Sequence, residues 1–189
     1  GAGEANIIAN NTNQAIVLVD SDQLNNSIIG NSMYCNGSGI DLNGVGNNNI
    51  QPPVINEVTT STIGGTGVIG EAIHVYLDNS GCTPTLPQGQ EYLGTATVDG
   101  SGNWQVTGVT ITTGTDLITA TASNGTDGTS EFTVQDPFVV TNNLDTGIGS
   151  LRWCVDNANN DPGANTITFE SSLNGSTIVL NSTVAIAFG

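Results

Sequence analysis

The stretches IIANNTNQAIVL at residues 7–18 and IIGNSMYCNGSGIDL at residues 28–42 decide the fold of the N-terminal quarter of the chain. IIAN at 7–10 recurs as IIGN 21 positions later, and AIVL at 15–18 recurs as GIDL 24 positions later. A period of about 20 to 24 residues with two short strands per repeat is typical of a solenoid. In such a fold each coil buries its Ile and Leu side chains against the coils above and below.

The repeat predicts that residues 1–51 are coils of a parallel β-helix, with a third repeat starting at Asn49 and Ile50. Asn10 is expected over Asn31 at a tight turn, where asparagine tolerates left-handed backbone and bonds a stacked neighbour. Leucine-rich repeats share this period, but their Leu-x-x-Leu-x-Leu skeleton is missing.

The composition favours an all-β protein without nucleic acid or anionic membrane as a partner. Seventeen acidic residues stand against one basic residue among 189, which gives a formal charge of -16. Such a chain cannot neutralise phosphates. Divalent cations are its natural counter-ions, although a solvated acidic surface explains the charge without a specific ion site. Gly, Asn, Thr, Ser, Val and Ile dominate, as in short strands joined by tight turns.

The middle region, residues 52–135, starts at the helix- and ladder-breaking pair Pro52-Pro53 and is predicted to be an immunoglobulin-like sandwich. Alternation predicts one buried and one solvated face for its strands. Trp104 is the expected core aromatic, and the segments 99–102 and 124–128 are expected hairpin turns. The predicted strands are Val54–Val58, Ala72–Leu77, Tyr92–Val98, Asn103–Val106, Leu117–Ala122 and Glu131–Val134.

The C-terminal region, residues 136–189, contains the only predicted helix, near 150–158, with Ser150 as its N-cap. Leu151, Cys154, Val155 and Ala158 would form its apolar stripe. This helix is expected to act as a lid over the first coils of another β-helix. The predicted strands are Phe138–Val140, Thr166–Phe169, Thr177–Leu180 and Thr183–Phe188.

Two segments resemble known families. GSLR at 149–152 with PGANTITF at 162–169 resembles the entry segment of right-handed parallel β-helix regions in large bacterial surface proteins. EAIHVY at 71–76 with YLGTATV at 92–98 resembles the immunoglobulin-like modules that alternate with such β-helices in giant Bacteroidetes proteins, including gliding-motility adhesins and grappling-hook filaments. The resemblance implies a tandem array on the cell surface. Trp153 and Cys154, where small or polar residues are expected, and Asn165, where Asp is usual, depart from the pattern.

The search for catalytic chemistry favours a protein that is not an enzyme. Arg152 is the only basic residue, and a structural role is expected: it either holds its neighbours in the helical lid or pairs with Asp156 at i+4. His74 is expected to be a surface histidine on the polar face of its strand, without a local nucleophile. Asp20 and Asp22 are the densest carboxylates, but turn chemistry explains them. No catalytic or cofactor-binding residue is assigned; a metal site stays undetermined, with weak Ca²⁺ binding as the one candidate.

Cys35, Cys82 and Cys154 are candidates for a disulfide within the chain or between chains, because their spacing does not fit zinc or thioredoxin chemistry. With three cysteines, at least one has to stay reduced or pair with another chain. Cys82, in the GCTP loop at 81–84, is the most exposed candidate. A disulfide suits an extracellular, surface or secreted protein.

These observations predict a structural repeat module of a long extracellular filament or adhesin that attaches to cells or surfaces. The expected partners are other copies of the chain, and no stretch of about 18 apolar residues suggests membrane insertion. The chain opens without Met and closes on an apolar run, so we expect an excerpt of an array. The alternatives are a carbohydrate-binding or carbohydrate-active β-helix protein with an accessory immunoglobulin-like module, and a calcium-dependent adhesion module.

Overall fold

The computed structural model describes residues 5–79, 81–82, 87–112, 116–133, 138–146, 149–161, 163–170 and 173–186. The chain divides into two compact units, Gly1–Ile111 with Asp116–Val134, and Thr112–Thr115 with Gln135–Gly189. Strands predominate in the described residues and one α-helix is present, which confirms the all-β prediction at that level.

The first unit begins with two coils, defined here as coil 1 (residues 5–29) and coil 2 (residues 30–50), and together as the coil stack. Coil 1 carries β1 (Ile7–Ala9) and β2 (Gln14–Val17), and coil 2 carries β3 (Ser32–Tyr34) and β4 (Ser38–Asp41). β1 pairs in parallel with β3, and β2 pairs in parallel with β4. Each of these sheets has two strands, which does not by itself make up a solenoid.

The register of the coil stack confirms one predicted repeat and corrects the other. Ile16 lies opposite Ile40, which is the predicted offset of 24. Ile7 lies opposite Ser32 rather than Ile28, so the IIAN/IIGN match is wrong. Asn10 does adopt left-handed backbone, with φ of 61°, but its counterpart is Cys35, with φ of 55°. The repeated IIxN letters mislead because Ile28 lies on a different side of the coil.

The rest of the first unit consists of two antiparallel sheets. The three-stranded sheet has the order β5-β6-β9, with β5 at Val54–Val58, β6 at Thr62–Thr66 and β9 at Asn103–Thr107. The four-stranded sheet has the order β11-β10-β7-β8. Its strands are β7 (Ala72–Leu77), β8 (Glu91–Thr97), β10 (Ile118–Asn124) and β11 (Gly128–Thr129).

The two sheets enclose a common apolar core, in which Trp104 is the predicted aromatic. Its buried members are Ile63, Ile73, Val75, Val98, Trp104, Val106, Ile111, Ala120 and Ala122. The 124–128 turn joins the paired strands β10 and β11, as predicted. The 99–102 turn instead connects β8 to β9 in different sheets, so it is not a hairpin. The strand predicted at 131–134 is wrong for residues 131–133, and Val134 lies outside the described residues.

The four-stranded sheet is buried on both faces, which corrects the prediction of one solvated face. His74, Tyr76 and Asp78, on the face opposite Ile73 and Val75, are all buried. The coil stack covers this face. Its apolar side chains form a second core with Tyr76 of β7 and with Phe132, namely Leu18, Ile28, Met33, Ile40, Leu42 and Ile50. The Ile and Leu side chains of the coils therefore pack against the four-stranded sheet as well as against each other, whereas the prediction placed them only against the coils above and below.

The second unit contains α1 (Leu151–Asn160) and a parallel pair, β12 (Val139–Val140) with β13 (Thr168–Phe169). Ser150 caps α1 as predicted, its Oγ accepting from the Trp153 N–H at 3.2 Å. Cys154 and Val155 form the buried part of the predicted stripe. The strands predicted at 177–180 and 183–188 are wrong for their described residues, while 187–188 lie outside the description. The described residues of these two segments pair with no other strand.

Candidate functional site

Stacked asparagines run along the coil stack with a consistent direction of hydrogen bonding. The backbone N–H and side-chain Nδ2 of Asn6 both donate to Asn31 Oδ1, at 3.2 and 3.1 Å. Asn11 donates in the same way to Asn36 Oδ1, at 3.1 and 2.8 Å. In each pair the amide in coil 1 supplies the donors and the amide in coil 2 the acceptor. Asparagine stacking was predicted, but at Asn10 and Asn31.

A third asparagine pair lies where the coil stack meets the four-stranded sheet. Asn26 donates from its N–H and Nδ2 to Asn47 Oδ1, at 2.9 and 3.2 Å. Asn47 is fully buried, and its Nδ2 donates to the carbonyls of Asn26 and Thr129, at 2.9 and 2.8 Å. Asn47 belongs to a short 3-10 turn, Gly46–Asn49, and has left-handed backbone with φ of 46°. Sequence reasoning missed this residue because its partners come from two other segments.

Backbone hydrogen bonds continue from the coil stack into the four-stranded sheet, and we call this contact zone the junction. Met33 N–H donates to the Gly89 carbonyl at 2.7 Å, and Thr129 N–H donates to the Asn26 carbonyl at 3.1 Å. A Cβ on Gly128 would lie 2.7 Å from both the backbone N and O of Asn26, so only glycine permits this approach. The junction is therefore a close backbone contact rather than a loose docking of side chains.

The buried amide of Gln88 completes the junction under coil 2. Gln88 Oε1 accepts from the Asn36 N–H and Nδ2, at 3.1 and 2.8 Å, while Gln88 Nε2 donates to the Asn36 carbonyl at 2.9 Å. Asp78 Oδ2 accepts from the Gln88 N–H at 3.2 Å. Buried polar groups with this degree of hydrogen bonding fix one relative position of two segments.

A disulfide between Cys35 and Cys82 links coil 2 to the segment that follows β7, with 5.4 Å between the Cα atoms. This answers the open question about the three candidate cysteines. Cys154 is buried in α1 and forms no disulfide in the described part of the chain. Cys82 is exposed, as predicted; Thr83 and Pro84 of its loop lie outside the described residues.

His74 is buried in the four-stranded sheet and does not lie at the surface, which corrects the sequence prediction. Its Nε2 is 2.8 Å from Ser123 Oγ and its Nδ1 is 3.3 Å from Tyr92 Oη. Only 6% of His74 and 8% of Ser123 are exposed, so this pair is closed to a substrate. Burial lowers the pKa of His74, because a desolvated imidazolium is disfavoured.

Acidification is expected to destabilise the first unit through His74. Because its folded pKa lies below the unfolded value, the unfolded state binds the proton first as the pH falls, and stability is lost towards the folded pKa. Each pKa unit by which the folded value lies below the unfolded value corresponds to about 1.4 kcal/mol of folding stability. Urea unfolding between about pH 7.5 and about pH 5 should show a smaller decrease for His74→Gln than for the parent. Equal decreases in both proteins would contradict this role.

In the second unit, Arg152 joins the start of α1 to two other segments. Its Nη2 lies 2.6 Å from Asp145 Oδ1, and this hydrogen bond lowers the pKa of Asp145. The guanidinium also donates to the carbonyls of Ser182 and Thr183, at 2.8 and 3.0 Å. The structural role is as predicted, but the partner is Asp145 and not Asp156. The predicted partner one turn along the helix is exposed.

Replacing Arg152 with lysine is expected to lower the melting temperature of the second unit by about 3 °C, because an ammonium cannot reproduce the planar fork of donors. Differential scanning calorimetry of the chain measures this shift. Asp156→Asn is the matched control and should leave the midpoint unchanged. An equal decrease in the melting temperature of both variants would indicate that Asp156, at i+4, is the relevant partner of Arg152.

The remaining candidate residues do not assemble into a ligand site. Within the described ranges, no three His, Cys, Asp or Glu side chains come close enough to hold a metal ion. An open groove of about 410 Å³ lies on the three-stranded sheet, lined by polar residues that include Glu57, Asp99 and Gln105. Trp104 also borders it, but is 4% exposed and packs in the core, so it offers no platform for a sugar ring.

Comparison with known proteins found no family model that matches the chain and no matching curated protein. Among the described residues, no helix has the length and apolarity that crossing a membrane requires.

Proposed function

We propose that this protein is a structural repeat module of a long extracellular filament or adhesin that mediates attachment to cells or surfaces. The observation that carries the proposal is the coil stack, whose parallel strands are joined to the sandwich by backbone hydrogen bonds, buried amides and a disulfide. Such a connection transmits load between the two parts, which suits a mechanical role.

The finer architecture proposed here is a short parallel β-helix followed by an immunoglobulin-like sandwich. Parallel pairing at offsets of 25 residues for β1 with β3 and 24 for β2 with β4 supports the β-helix. The asparagine pairs support it further, because stacked amides recur at equivalent positions of successive coils. Two sheets around one core support the sandwich.

An extracellular location is proposed on two grounds. The Cys35–Cys82 disulfide is typical of proteins in oxidising surroundings. The formal charge of -16 keeps a repetitive chain soluble by self-repulsion. Both features suit a surface-attached or secreted array whose partners are other copies of the chain.

Immunogold electron microscopy with an antibody against this chain tests the proposal on the cells that make the protein. We expect label at regular intervals along fibres outside the cells, and no label after the antibody is absorbed with the purified chain. Label confined to the cell interior, or dispersed in the medium without fibres, would overturn the proposal.

The polar groove on the three-stranded sheet favours a second candidate, a carbohydrate-binding module. Its carboxylates and amides can bond sugar hydroxyls, with Glu57 Oε2 3.4 Å from Gln105 Nε2. A glycan array distinguishes this candidate: binding that is abolished in Gln105→Ala but kept in Gln51→Ala supports it. An array without specific signals rejects it.

A further inference from the structure

We propose that the outer edge of coil 1 is a docking surface for one further polypeptide coil that runs parallel to β1 and β2. The surface, called the open edge here, consists of β1, β2 and the side chains of Asn6 and Asn11. The inference rests on the proposed function, because it names the kind of partner that a repeat module takes.

The coil stack is closed at one end and open at the other. Coil 2 is covered by the sandwich: Met33 N–H bonds to Gly89, and a Cβ on Gly39 would lie 2.6 Å from the Phe132 ring. β1 and β2 each have one neighbour in the described part of the chain, in coil 2. Asn6 and Asn10 use their backbone groups towards coil 2, so those of Ile7 and Ala9 point to the open edge.

The direction of the asparagine hydrogen bonds defines what the open edge accepts. In every pair, the asparagine of the earlier coil donates from N–H and Nδ2 to the Oδ1 of the later one. Asn6 and Asn11 use these donors towards coil 2, and both residues are exposed. Their Oδ1 atoms are therefore the acceptors for the amides of one more coil.

Burial of the apolar residues is incomplete at the same edge. Ile8 lies opposite Met33, and Ile16 lies opposite Ile40. The coil 2 residues are 1% and 5% exposed, whereas Ile8 and Ile16 are only partly buried. A further coil would bury Ile8 and Ile16 as coil 1 buries their partners. The hydrogen-bonding groups and the partly exposed apolar side chains of the open edge thus indicate the same occupant.

The open edge also lacks charge, although the chain carries -16 overall. Residues 5–19, ANIIANNTNQAIVLV, contain no ionisable side chain. A neutral strip lets another segment of an acidic protein approach without repulsion. It also excludes a basic peptide or nucleic acid as the preferred occupant.

The occupant is a coil with the sequence pattern Asn-x-apolar-x-x-Asn and a further apolar residue four or five positions later. Asn6, Ile8, Asn11 and Ile16 fit this pattern, as do Asn31, Met33, Asn36 and Ile40. A second folded copy cannot supply it in parallel, since its own coil 2 is covered by its sandwich. The partner is thus a further coil of the same design and not an identical folded unit.

Inserting a second copy of residues 5–29 between Glu4 and Ala5 of the full chain tests this inference. The 25-residue insert places its asparagines one coil before Asn6 and Asn11. We expect hydrogen exchange at the amides of Ile7 and Ala9 to slow by about tenfold or more. The matched control carries Asn→Asp at both equivalent positions of the insert, which removes the Nδ2 donors and should abolish the protection.

Two results would overturn the inference: an insert that leaves Ile7 and Ala9 unprotected, and equal protection in the control. Sedimentation of the parent chain adds a third, because a dimer through antiparallel pairing of two β1 edges would make a second copy the occupant. The outcome is separate from the immunogold result. If the inserted coil docks but no external fibres are labelled, the inference about the open edge stands and only the proposed filament function is rejected.

Discussion

Asn47→Asp is expected to destabilise the first unit by about 5 kcal/mol at neutral pH, because it places an unpaired charge in a buried site where it faces two carbonyl oxygens. The Asn47 Nδ2 donates to the carbonyls of Asn26 and Thr129. An aspartate would point an acceptor at each of them. Urea unfolding followed by Trp104 fluorescence measures the loss.

Asn49→Asp is the matched control for this experiment. Asn49 lies two residues later, has a similar left-handed φ of 51°, and is exposed. Its substitution tests the added charge and the backbone conformation without the buried hydrogen bonds. A change below about 1 kcal/mol is expected. Similar losses in both variants would mean that the backbone conformation, and not the amide, holds this turn.

Removal of the Cys35–Cys82 disulfide is expected to cost about 4 kcal/mol, because the bond closes a loop of 47 residues in the unfolded chain. The double variant Cys35→Ser with Cys82→Ser should unfold at a clearly lower urea concentration than the oxidised parent. Cys35 has a left-handed φ of 55°, and this conformation is retained by the exchange of sulfur for oxygen.

A reducing agent provides the control for the disulfide. It should lower the unfolding midpoint of the parent to that of the double variant and leave the double variant unchanged. Alkylation after unfolding should modify one cysteine in the oxidised parent and three after reduction. If complete reduction leaves the unfolding midpoint of the parent unchanged, the disulfide adds no stability.

Local patterns predicted much of the fold where each strand follows its own alternation. Val54–Val58 and Ala72–Leu77 were predicted to the residue, and Ser150 was predicted as the helix cap that it is in the structure. β6 was missed because Gly64 and Gly65 interrupt its alternation. Gly65 is required there because a Cβ would lie 1.9 Å from the Val54 carbonyl oxygen, a contact across the sheet that the local sequence does not reveal.

The junction could not be predicted because the residues that bury this face of the sheet lie in the coil stack, outside the strands of the sheet itself. His74 and Tyr76 alternate with apolar residues and resemble a solvated face. Tyr76 is buried because it packs in one core with coil residues such as Met33 and Leu42, and His74 is buried on the same face of the sheet. The asparagine pairs could not be predicted for the same reason. Whether two asparagines 21 or 25 positions apart form a pair depends on the side of the coil that each occupies, and only the tertiary structure defines that side.

The position of the disulfide also limits how far the protein can be stretched. A pulling force applied at the two termini reaches Cys35 and passes directly to Cys82, bypassing the chain between them, since the two cysteines are 47 positions apart in the sequence. At about 3.4 Å per extended residue, roughly 160 Å of contour length stays hidden until the bond is reduced. The strands β4, β5, β6 and β7 lie inside this bypassed segment. Under the same tension, a fibre of such modules would therefore extend less when it is oxidised than when it is reduced.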